Sequence, residues 1–181
     1  TPGVVNDLGD LDLGFPCPVV FSSGLFPAND VNGDVRAIAV FDDGSGPAVF
    51  VGGTFTIARG ITVNRVAKWN GTTWSALGSG LTTTTSPSVD ALLVFDDGSG
   101  ARLYAGGKFT KSGAATVQYV AKWTGTQWVQ VGNNLNNQVL ALAAFNPGSG
   151  NQLFATGTFT TAGGTTVNRI AAGDSSSLAL K

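Results

Sequence analysis

The sequence predicts an all-β fold of three tandem, four-stranded antiparallel units. Three observations carry that expectation. The 181 residues include 26 Gly and abundant Thr and Val, no Met, and eleven acids that are all Asp, so good helix formers are scarce and strand and turn formers dominate. A stretch of text recurs three times. Within each copy, short apolar runs are separated by Gly, Asn and Asp turns.

The copies open on VRAIAVF (35–41), VDALLVF (89–95) and VLALAAF (139–145), at offsets of 54 and 50 residues. A turn follows each: DDGSG at 42–46 and 96–100, NPGSG at 146–150. Asp-Gly supplies the positive φ that tight hairpins need. The second run is AVFVGG (48–53), RLYAGG (102–107) or QLFATG (152–157), and a polar connection then leads into VNRVAKW (63–69), VQYVAKW (117–123) or VNRIAA (167–172). Copies one and two close with NGTTWSALGSGL (70–81) and TGTQWVQVGNNL (124–135). A repeated unit of about 40–50 residues with four strands, and a Trp in its closing hairpin, is the pattern of a propeller blade.

The strings GGTFT (52–56), GGKFT (106–110) and TGTFT (156–160) invite a phosphate-loop reading. That chemistry needs a helix N-terminus directly afterwards, and the text that follows is strand-like. The glycines are instead expected to end a central strand where a neighbouring backbone comes close.

This order of apolar run, GG, aromatic-terminated run and NGTTW or TGTQW resembles the kelch-like repeats of the galactose-oxidase-type β-propeller family, found in secreted and surface proteins of bacteria and in fungal cortical proteins. The resemblance spans about residues 35–172. It maps the family glycines onto Gly52, Gly53, Gly106, Gly107 and Gly157, and the family tryptophans onto Trp69, Trp74, Trp123 and Trp128. It implies a propeller architecture and leaves activity open, since such folds host enzymes, glycan binders and scaffolds. The third copy departs from the pattern: Thr156 replaces the first glycine, and AAGDSSSLALK (171–181) carries neither Trp. Its fourth strand is expected to be degenerate, near Ser177–Leu180, or missing.

The expected organisation is one domain: a leader (1–34), repeat one (35–88), repeat two (89–138) and a degenerate repeat three (139–181). Within the leader, residues 18–25 end in FSSGL, which aligns with LGSGL at 77–81 and reads as a closing strand without its own blade. That strand has three outlets: it completes the third copy of its own chain in a β-prism-like body, it is donated to a neighbour, or the chain is part of a larger propeller. Unpaired edges are templates for association, and charge here is sparse.

Composition also restricts function. Charged residues are 12% of the chain and the net charge is −1, so nucleic acid and membrane insertion are not expected. Histidine is absent, which removes the commonest general base and zinc ligand. The single Cys17 reads as a small semi-buried residue, with an intermolecular bridge as the alternative. No cofactor or metal is expected. Asp30, Asn32 and Asp34 are spaced like half a calcium loop, but Val35 and Phe41 occupy the positions that need Gly and Glu. Asp42–Asp43 and Asp96–Asp97 read as turn caps rather than catalytic dyads. The tryptophans read as packing between units, with a sugar-stacking face as the alternative. Asn70-Gly71-Thr72 is a glycosylation sequon, and Thr82, Thr83, Thr84 and Thr85 with Ser86-Pro87-Ser88 form a polar insertion suited to O-glycans. Together these features predict a non-catalytic, exported structural protein that associates with itself through strand edges into a fibre or surface layer. A glycan- or ligand-binding module is the alternative.

Overall fold

The computed structural model describes residues 30–132, 135–146, 150–163, 165–166 and 176–180, so Cys17 and the predicted closing strand at 18–25 lie outside the described residues. All regular structure among the described residues is strand, and no helix there is long and apolar enough to cross a membrane. Three antiparallel sheets follow one another in chain order, each interrupted by a small two-stranded hairpin.

The first sheet joins β1 (Val35–Asp42), β2 (Pro47–Gly53), β5 (Val66–Trp69) and β6 (Trp74–Ala76) in that order. The hairpin β3 (Ile57–Ala58)–β4 (Ile61–Thr62) occupies part of the stretch read from sequence as a polar connection. The second sheet repeats the plan with β7 (Ser88–Asp96), β8 (Ala101–Lys108), β11 (Val120–Trp123) and β12 (Trp128–Gln130), and with β9 (Lys111–Ser112)–β10 (Ala115–Thr116) as its hairpin. β7 begins at Ser88, which is buried, so the polar insertion ends one residue earlier than its composition suggests.

The third sheet differs from the predicted four strands. β13 (Val139–Phe145) pairs with β14 (Gln152–Gly157), and β14 pairs with β17 (Ser176–Leu180); β15 (Thr161–Ala162) and β16 (Thr165–Thr166) form the hairpin. β17 therefore takes the third place, where β5 and β11 stand in the other sheets. Residues 176–180 are a third strand rather than a fourth, and the outer side of β17 has no partner strand among the described residues.

The sheets pack in a row, with β7 against β1 on one side and β13 on the other. Strand alternation decides which residues meet. Ala39, Phe41 and Phe50 of the first sheet meet Leu92, Val94, Leu103 and Trp128 of the second. Leu93, Phe95 and Tyr104, on the other face of the second sheet, meet Leu142, Leu153 and Ala155 of the third. A third cluster lies on the far face of the first sheet, where Phe55, Ala58 and Val63 cover Val51, Ala67 and Trp74. Phe55, Phe109 and Phe159, the Phe of each GTFT-like string, are all fully buried.

Candidate functional sites

The glycine signature is explained by close approach, at two distinct places in each copy. A Cβ on Gly52 would stand 2.5 Å from Val89 Cγ1, and one on Gly106 would stand 2.7 Å from Val139 Cγ1. Each first glycine thus receives the opening valine of the next sheet. A Cβ on Gly53, Gly107 or Gly157 would instead meet the carbonyl oxygen of Asp34, Ser88 or Gln138 at 1.8, 2.2 and 2.1 Å. That second contact lies within the sheet, where the register shifts at Val35/Ala37, Val89/Ala91 and Val139/Ala141 bring the first strand inward. The departure at Thr156 follows: no further sheet's valine packs there among the described residues, so the position need not be glycine. Gly157 keeps its place because its constraint is internal.

The tryptophans pair across the closing hairpins. Trp69 and Trp74 are directly opposite with ring centroids 5.4 Å apart, and Trp123 and Trp128 repeat this at 5.4 Å. Trp123 and Trp128 lie in the cluster between the first two sheets, and Trp128 Nε1 donates to the Leu77 carbonyl at 3.2 Å. Trp69 is half-buried at the open side of the first sheet, where it lines an apolar recess of about 220 Å³ with Val40, Pro47 and Val49.

The twin aspartates cap turns. Asp42 Oδ1 accepts from the Gly44 and Gly46 amides, and Asp96 does the same for Gly98 and Gly100. The second aspartate of each pair has a further partner that sequence reasoning missed. Lys68, on the third strand, donates to Asp43 at 2.7 Å and to Ser45 Oγ; Lys122 donates to Asp97 at 2.7 Å. Tyr104 OH also donates to Asp97, at 2.9 Å. Burial opposes ionisation of Asp43, but hydrogen bonds from Lys68 and Ser45 and the Lys68 charge outweigh it and hold its pKa below the ordinary value. Hydrogen bonds from Lys122, Ser99 and Tyr104 hold Asp97 lower still, and burial with the Asp97 carboxylate raises the Tyr104 phenol. A sequence signal for this pairing existed: the third copy loses both members together, with Pro147 at the aspartate position and Ala172 at the lysine position.

The half-calcium spacing dissolves into separate tasks. Asp30 is buried and accepts from Arg59 Nε at 2.9 Å. Asn32 Oδ1 accepts from the Thr56 and Ile57 amides at 2.7 and 2.8 Å. Asn136 does the same for Thr160 and Thr161 at 2.8 and 3.1 Å, so the asparagine is a repeated latch onto the small hairpin. Among the described residues no group of three or more His, Cys, Asp or Glu could hold a metal ion.

Of the modification candidates, Asn70 is exposed; its Oδ1 accepts from the Thr72 and Thr73 amides in an Asx-type turn. Thr82 is tied to Lys111 by a bridge, and Thr83 Oγ1 lies 3.0 Å from Thr110 Oγ1. Thr84 and Thr85 are the exposed pair.

Both ends of the row of sheets carry apolar surface. On β1, Ile38 and Val40 are 57% and 69% exposed, whereas the matching Leu92 and Val94 of β7 pack against the first sheet. On the far face of the third sheet, Phe145 is 61% exposed beside Phe154, whereas the matching Phe95 is 6% exposed against Tyr104. No family model matches the chain, no curated protein matches it, and no solved structure matches it.

Proposed function

We propose that this chain is a non-catalytic, exported structural protein, built of kelch-like propeller-blade units, that associates with further copies of itself into an extracellular fibre or surface layer. The observation that supports this reading is the apolar surface left at both ends of the row. Ile38 and Val40 at one end, and Phe145 at the other, stand where internal copies of the repeat are covered by a neighbouring sheet. Contiguous apolar surface on a chain with so little charge favours association. Thr156 determines its manner. An incoming copy cannot seat Val35 there as Val89 seats on Gly52, so the contact falls on Phe145 and on the side of β17 that has no partner strand among the described residues.

Light scattering over a range of concentrations tests the reading. The weight-average mass is expected to climb above the 18.4 kDa of one chain, and Val40→Asp or Phe145→Asp is expected to return it toward that value. A wild-type mass that stays at 18.4 kDa to the limit of solubility overturns the proposal.

A further inference from the structure

A second surface feature is separate from the apolar ends. Where β1 and β7 begin and β2 and β8 end, a recess of about 350 Å³ opens, lined by Arg36, Thr54, Arg65, Ser86, Ser88 and Lys108 among others. Three of the chain's ten cationic side chains meet there. The strand frame does not require them, because the second copy places Asp90 where Arg36 stands and Tyr119 where Arg65 stands, and the first copy places Thr54 where Lys108 stands.

Their charges are unequally satisfied. Arg36 donates to Asp90 at 2.8 Å and lies 3.6 Å from Asp34. The Asp90 carboxylate, only 7% exposed, also accepts from Ser88 Oγ and Gln138 Nε2, each at 2.7 Å, so it is fully engaged. Arg65 and Lys108 form no ion pair among the described residues. Arg65 Nε is buried with no hydrogen-bond acceptor, and burial holds the guanidinium pKa below the usual arginine value. A buried donor without an acceptor is costly, and a guanidinium is matched best by a planar or tetrahedral oxyanion. Hydroxyls of Thr54 and Ser86 line the same recess. Its volume admits an anionic head with a sugar-sized body behind it.

We propose that this recess is a binding site for a small soluble ligand with an oxyanion head, a carboxylate or a phosphate, held by Arg65 and Lys108. The isotope-labelled chain in dilute solution is titrated with sodium phosphate and, separately, with sodium glucuronate, each against sodium chloride at matched ionic strength. Amide shifts at Thr54, Arg65, Ser88 and Lys108 are expected to saturate with a half-point of about 1 mM. Arg65→Gln and Lys108→Gln are each expected to weaken binding about tenfold, the loss typical of one charge-assisted contact, with melting temperature held within a few degrees. Saturation by phosphate alone assigns a phosphate head, and saturation by glucuronate alone assigns a carboxylate. Shifts that stay linear for both anions and are matched by chloride overturn the proposal, as does equal affinity in wild type and both variants.

Discussion

Gly52→Ala tests the packing of the first sheet on the second through a single methyl group. The added Cβ would lie 2.5 Å from Val89 Cγ1, about 1–1.5 Å inside ordinary carbon–carbon contact at about 3.5–4.0 Å. Val89 is fully buried and sits beside the register shift of β7, so it cannot swing aside without disturbing neighbours. Overpacking of this kind costs about 2–3 kcal/mol, a fall of roughly 4–12 °C in Tm for a chain of this size. Val89→Ala alone leaves a cavity and costs about 2 kcal/mol. Combined with Gly52→Ala it removes the atom in the way, so the double variant is expected to be more stable than the sum of the singles by about 1–2 kcal/mol. Urea unfolding of the four proteins completes the cycle. Thr156→Gly is the control, losing only the roughly 0.5–1 kcal/mol that glycine costs in a strand. Strict additivity of Gly52→Ala and Val89→Ala would refute the argument that the glycine exists for the neighbouring sheet.

Gly107→Ala faces a backbone oxygen at 2.2 Å rather than a side chain, so no partner substitution should rescue it; a rescued stability with Ser88→Gly would contradict this. Lys68→Met, which strands a largely buried Asp43, is expected to cost about 1–2 kcal/mol at neutral pH. Because the folded pKa values of Asp43 and Asp97 are depressed, their contribution is present above the unfolded carboxyl pKa and is lost as pH falls through the folded values. Acid titration of stability should therefore be shallower in the Lys68→Met, Lys122→Met double variant, and identical acid profiles would count against the pairing. Asn136→Ala removes the acceptor for the Thr160 and Thr161 amides, and hydrogen exchange at those two amides should speed up with a loss of about 1–2 kcal/mol. An N-glycan on Asn70, beside the recess lined by Val40 and Trp69, should suppress self-association; a glycosylated chain that still associates would place the contact elsewhere.

By itself the sequence determined the all-β character and the repetition, but not the small hairpins β3–β4, β9–β10 and β15–β16. Apolar runs bounded by Asp-Gly and Asn-Gly turns favour antiparallel pairing, so β1, β2 and β5 and their counterparts in the second sheet were legible as strands. In the third copy, residues 176–180 were read as the fourth strand and stand third, and the third strand expected at 167–172 lies outside the described residues. The cap role of Asp42 and Asp96 was legible too, because an Asx turn closes within four residues. The tertiary structure decided whatever depends on residues distant in the chain. That Gly52 answers to Val89, that Lys68 reaches back to Asp43, and that Arg36, Arg65 and Lys108 share one recess are facts of register and sheet stacking, set by contacts across 25 to 72 positions. Strand period 2 tells which residues share a face, but only the packed sheets tell which face is covered, and so left Ile38, Val40 and Phe145 in the open.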